Sequence, residues 1–283
     1  MTGLKRFQVV AGHPRSGVGR VGLLLLVVAG FGGIFGLFLL AGGNLGDLMR
    51  QIDENQGFGQ GDGNGESERV EVPGIPGELL AEADPMFQDL AQKLGIAYQP
   101  PQRSVFRNRV TTECFEFQSV AGPFYCFADE RLYLEMDFFD ELTIRSSETA
   151  ELAHAYVIGR LMGKHLQTRM GITDRVRQRE FDLKPFERLK QQTQLELQAD
   201  YFAGCWAHQS SRFRKLAKEN SLDVAMKAIQ AVTRDRLENC KDDGGIVAEK
   251  YDYATFEQRL KWFQLGLESG DPAEHDPFKV KTP

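Results

Sequence analysis

The stretch "AYVIGRLMGKHLQTRMG", residues 155–171, carries two cations one helical turn apart, Arg160 and Lys164. Further along, "ELQADYFAGCWAH", residues 196–208, carries two acids at the same spacing, Glu196 and Asp200. Side chains four residues apart leave the same face of a helix, so each pair acts as a unit. The two acids can accept protons or bind a cation. Arg160 stays protonated and has no lone pair to offer a metal, and Lys164 would first have to lose its proton. Leu161, beside the first cation, can move no proton.

A zinc hydrolase places His-Glu-x-x-His on such a helix. The two imidazoles share a face, a third protein ligand comes from elsewhere, and the Glu takes a proton from the metal-bound water. Here the five positions read Arg160, Leu161, Met162, Gly163 and Lys164. The other histidines do not rebuild such a site. His165 points about 100° away from Lys164, and His154 lies about 16 Å from His165 along the same axis. His208 lies about 12 Å along its helix from Asp200. His13 precedes the apolar segment described next, and His275 sits near the C-terminus. Each is read as a packed or hydrogen-bonded histidine.

The 283 residues and net charge of -6 allow one sizeable domain with appendages. No basic tract dominates, which argues against a nucleic-acid partner. Residues 21–41, "VGLLLLVVAGFGGIFGLFLLA", are uncharged and long enough to cross a hydrocarbon core of ~30 Å as a helix. The segment 1–20 before it carries Lys5, Arg6, Arg15 and Arg20 and no acid, so its expected side is the cytoplasm and the remainder is expected outside, periplasmic or extracellular. A cleaved signal peptide is the minority reading, because its apolar core is normally about 7–15 residues. Gly32 and Gly36 have the spacing of a helix-pairing motif, although glycine is frequent in membrane helices in any case.

Residues 42–77 are rich in Gly and acids, lack an apolar period and read as a linker. The folded domain is expected over 78–283. Met86, Phe87, Leu90, Ala91 and Leu94 recur at helical spacing before Gly95. "SVFRNRV" and "AGPFYCFADERLYLEM" read as β structure. From Ser147 the chain reads mostly helical, over 148–170, 186–207, 222–239 and 255–267. A small sheet followed by a helical body defines an α+β class. Four cysteines in an outward-facing domain are disulfide candidates with three possible connectivities. Cys114 with Cys126 suits a local bridge, which leaves Cys205 with Cys240.

Residues 84–275 resemble the bacterial neutral zinc metallopeptidase family of membrane-anchored domains. The resemblance is carried by "GPFYC", "YVIG…GKHLQ", "ELQADYFAGCWAH", "EQRLKWF" and "SGDPAE", in that order and spacing. It implies a zincin-like fold and, for the family, a zinc cofactor. The family helix reads H-E-x-G-H-H-x-Q. Its first ligand falls on Arg160, its general base on Leu161 and its second ligand on Lys164, while Gly163, His165 and Gln167 keep the family types. The third ligand, an acid, falls on Glu196, with Asp200 one turn on. A family His falls on Tyr253, and two family cysteines fall on Tyr201 and His275. The expectation is therefore a catalytically inactive, membrane-anchored relative without a cofactor, which binds a peptide or an envelope protein. The alternative is an active neutral zinc metallopeptidase with a non-standard site. Arg160 is expected beside Asp200, and Lys164 beside Glu196.

Overall fold

The computed structural model describes residues 71–114, 118–119, 122–218, 222–241 and 253–279. The apolar segment 21–41 lies outside them. Among the described residues no helix is long and apolar enough to cross a membrane.

The first helix, α1, runs over Gly74–Lys93. Leu79, Leu80, Ala83, Phe87, Leu90 and Ala91 are buried, three or four residues apart, and form the stripe that the sequence required. It begins earlier than expected, because Val72 and Leu79 already reach the core. Gly95, with φ +71°, follows its end. The first strand, β1 (Gln102–Phe106), pairs in parallel with β5 (Arg131–Glu135). Strand β4 (Phe124–Cys126) joins the other edge of β5 antiparallel, giving the order β1-β5-β4. Two-residue strands β2 (Arg109–Val110) and β3 (Gln118–Ser119) form a separate antiparallel pair. Cys114 and Cys126 are joined as expected, with Cα atoms 5.8 Å apart.

A helix absent from the sequence reading, α2 (Met136–Ser146), follows β5 directly. Glu135 caps it: its carboxylate accepts from the Phe138 amide at 2.6 Å and pairs with Arg236 at 2.6 Å. A single 3-10 turn, Ser147–Thr149, leads into α3 (Ala150–Arg169). Helix α3 is buried along most of its length and on all sides, the pattern of a helix through the middle of a domain. Around it come α4 (Ile172–Glu180), α5 (Pro185–Gln209), α6 (Ser211–Lys218), α7 (Leu222–Lys241) and α8 (Phe256–Ser269). Helices α1, α2, α5 and α7 pack on α3, and α8 packs on α5. The described elements are mostly helical with a small sheet, an α+β arrangement.

Glycines set how closely these helices approach. A Cβ on Gly163 of α3 would lie 3.0 Å from the Ala199 carbonyl oxygen of α5. One on Gly266 of α8 would lie 2.1 Å from the Tyr201 carbonyl oxygen, and one on Gly204 would lie 2.1 Å from the Phe263 carbonyl oxygen. Backbone cannot yield as a flexible side chain can, so α5 and α8 cross at a distance only glycine permits. Gly266→Ala is therefore expected to push α8 outward and cost about 1–3 kcal/mol. Denaturant unfolding measures this, and a neutral result would mean that the crossing adjusts freely.

Candidate functional site

The close approach of α3, α5 and α8 brings five charged side chains into one buried cluster. Arg160 comes from the middle of α3, Glu196 and Asp200 from α5, and Arg259 from the start of α8. Arg160, Asp200 and Arg259 are each no more than 2 % exposed, and Glu196 is 6 % exposed. Lys164, one turn after Arg160, closes the cluster on its solvent side with a side chain 18 % exposed.

Asp200 is held from three directions. The Arg160 Nε lies 2.6 Å from its Oδ1, the Tyr156 hydroxyl donates to the same oxygen at 2.6 Å, and the Arg259 Nη1 donates to Oδ2 at 3.3 Å. Glu196 is likewise shared. Lys164 Nζ donates to its Oε1 at 2.8 Å, while the Arg160 Nη2 and, at 3.5 Å, the Arg259 Nη2 reach Oε2. Both pairings that the family resemblance implied are made, and Arg160 additionally bridges the two acids. Three cations face two acids, so the cluster carries one net positive charge if all five are ionised.

The electrostatics of Glu196 follow from this arrangement. Burial alone would raise its pKa. Lys164, then Arg160 and Arg259, outweigh that penalty and hold it at about 2, below the ordinary 4.5. Burial pushes the Tyr156 hydroxyl well above its usual range, and Asp200 adds to this, so Tyr156 acts as a neutral donor.

These shifts give stability a pH dependence. A carboxylate depressed in the folded state stabilises the fold above its unfolded pKa. That contribution is lost as pH falls from about 4.5 toward 2. His154 acts in the same direction. It is buried and packed between the Thr143 hydroxyl and the Phe139 carbonyl oxygen, and burial lowers its pKa from 6.5 to about 4. The unfolded chain therefore takes up a proton there first as pH falls through 6.5. Glu135, raised by burial, opposes both, favouring the fold at low pH and losing that contribution as pH rises. Thermal unfolding from pH 7 to pH 3 is expected to show falling stability, and His154→Gln is expected to flatten the upper part of that fall. A Tm independent of pH below 6.5 would contradict the assignment.

The remaining residues singled out by sequence fall as follows. Leu161 is 2 % exposed and belongs to the apolar core. His165 contacts the Tyr125 hydroxyl at 3.1 Å and the Gln99 carbonyl oxygen at 2.8 Å. Gln167 donates to the Leu195 carbonyl oxygen at 2.8 Å and so ties α3 to α5. His208 contacts the Leu267 carbonyl oxygen at 2.8 Å. Tyr201 and His275, the two positions where the family pattern carries cysteines, meet edge to face with ring centroids 5.7 Å apart. An aromatic contact thus ties the α5 segment to the C-terminal segment.

The expected bridge between Cys205 and Cys240 is not made. Cys205 is a free, fully buried thiol, whose pKa burial pushes up to about 12. It sits on α5 in the crossing with α8, where a Cβ on Gly266 would lie 2.8 Å from the Cys205 amide nitrogen. Cys240 lies on α7, which packs on α2 and α3 instead.

Arg259 is the functional residue that sequence reasoning missed. Its signal lies in "EQRLKWF": Arg259, Trp262, Phe263 and Gly266 are buried at helical spacing, so a lone arginine stands within the apolar stripe of α8. A cation at such a position requires an acid opposite it.

A metal ion does not fit this arrangement. Both cations on α3 direct their protons at the carboxylate oxygens that a metal would need, and neither offers a lone pair. The site is thus an arginine-rich ionic cluster built around two acids where three helices, α3, α5 and α8, meet. The chain belongs to a metallopeptidase family, described as "putative neutral zinc metallopeptidase", whose profile matches residues 7–278. It is 32% identical over 260 residues to the uncharacterized protein YpfJ of Escherichia coli (strain K12), covering 92% of this chain and 87% of YpfJ. It is 30% identical over 193 residues to an uncharacterized protein of Mycobacterium tuberculosis, covering 65% of this chain and 64% of that protein. No solved structure matches the chain.

Proposed function

We propose that this protein is a non-catalytic member of its family, a zincin-like domain held at a membrane by residues 21–41 with its folded part outside the cytoplasm, acting by binding a peptide or an envelope protein. One observation carries this reading: the two helix positions at which the family places metal ligands hold Arg160 and Lys164, and both are engaged with Glu196. Fold and chemistry are separable, and a scaffold whose reacting groups are replaced keeps its surfaces for recognition. Leu161 stands at the general-base position and packs in the core, so proton transfer to or from water has no agent there.

The test is the metal content and activity of the full chain purified without chelator. Metal analysis is expected to find no stoichiometric zinc, chelator is expected to leave Tm unchanged, and an unstructured protein substrate is expected to remain uncleaved. One tightly held zinc per chain, or cleavage abolished by Glu196→Gln, would overturn the reading in favour of an active zinc peptidase.

A further inference from the structure

We infer that a trough between α5 and α8, separate from the ionic cluster, is the docking surface for a partner polypeptide segment that carries apolar side chains flanked by carboxylates. This inference names a surface and a partner chemistry for the binding role just proposed, and rests on that reading.

The trough encloses about 660 Å³, within the range of surface sites that seat a ligand. One wall is a row on α5 at helical spacing, Phe186, Leu189 with Lys190, and Leu197. The other is Lys261 and Trp262 of α8. Phe186 is 75 % exposed and Leu189 48 % exposed, although both face a concave apolar surface. Exposed apolar side chains gathered in one concavity mark an interaction site more strongly than the same residues scattered.

The charges select the partner. Lys190 and Lys261 stand one on each wall, and among the described residues that line the trough there is no acid. An apolar floor between two lysines, with no acid among its described lining, is complementary to apolar side chains with acids on either side. Concavity favours a polypeptide over a bilayer, because two helical walls admit a row of side chains and exclude a flat surface. The trough is also distinct from the cluster. Arg259 of α8 points to Glu196 and Asp200, while Lys261 and Trp262 line the trough. Binding there leaves the buried ions undisturbed.

The experiment uses the full chain and a fluorescein-labelled twelve-residue peptide of alternating Leu/Phe and Glu, followed by anisotropy. A matched peptide has Lys in place of Glu, and phosphatidylserine vesicles form a third arm. Saturable binding of the Glu peptide is expected, at least ten-fold tighter than the Lys peptide. Leu189→Asp, at an exposed position that leaves the fold intact by circular dichroism, is expected to weaken it at least ten-fold. Joint Lys190→Glu and Lys261→Glu substitution is expected to reverse the preference toward the Lys peptide. Equal affinity for both peptides, indifference to Leu189→Asp, or no saturable binding would overturn the trough. So would vesicle binding lost with Leu189→Asp, which assigns the face to lipid, or a dimer dissociated by it, which assigns the face to a second copy. Peptide recovered cleaved, with zinc in the protein, overturns the non-catalytic reading instead. Peptide recovered intact without binding overturns the trough alone.

Discussion

Asp200→Asn is expected to destabilise the fold by about 3–5 kcal/mol, the cost of breaking a buried ionic cluster from one side. Asp200 is fully buried and faces two guanidinium groups and the Tyr156 hydroxyl. Asparagine keeps the shape and removes the charge. Arg160 and Arg259 then share Glu196 with Lys164, and a cluster of one net positive charge becomes one of two in a place water does not reach. Lys164→Met is expected to cost less, because the Lys164 side chain is 18 % exposed and Glu196 keeps Arg160 and Arg259 without it. Denaturant unfolding of both variants gives the comparison. A cost below about 1 kcal/mol for Asp200→Asn would mean that water or a repacked neighbour compensates the arginines, and the cluster would not be a structural element of the core.

The difference between the two positions shows what the sequence could and could not convey. The spacing of Arg160 with Lys164 and of Glu196 with Asp200 is local, and helical periodicity alone puts each pair on one face. That the two helices meet, and which cation faces which acid, came from the family resemblance and not from the spacing. Arg259 required knowledge that α8 crosses α5 within glycine distance, and that crossing depends on Gly204 and Gly266, which lie sixty-two residues apart. Helix α2 was hidden for a different reason. Phe138, Phe139 and Leu142 have helical spacing, but they directly follow the aromatic and branched residues of β5, with only Glu135 and the first-turn acid Asp137 to mark the start. A glutamate cap before a helix reads in sequence as an ordinary charged strand residue. The Cys205 thiol had no local signal, since whether a cysteine meets a partner depends on which helices pack together. The start of α1 was obscured by Pro73, Gly74, Pro76 and Gly77, which suggest a linker by composition although Val72 and Pro76 are buried.

Restoring imidazoles at the two α3 positions is expected to create a metal site where the ionic cluster now stands. In the double variant Arg160→His with Lys164→His, two cations leave and the neutral imidazoles offer lone pairs on the face that now meets Glu196. The cluster then holds Arg259 against Glu196 and Asp200, one net negative charge in a buried place, so the metal-free variant should be less stable than the parent. A divalent zinc ion returns the balance to one net positive charge, the value of the present cluster. Zinc is therefore expected to bind at about one ion per chain and to raise Tm in proportion to its binding free energy, with chelator reversing the gain. The parent chain should show neither response. Leu161 remains, so no peptidase activity should accompany the metal. Metal analysis together with thermal unfolding with and without zinc reads both outcomes. A double variant that folds yet takes up no zinc would show that Arg160 and Lys164 do not stand at ligand positions, and that the acids on α5 face α3 for structural reasons alone.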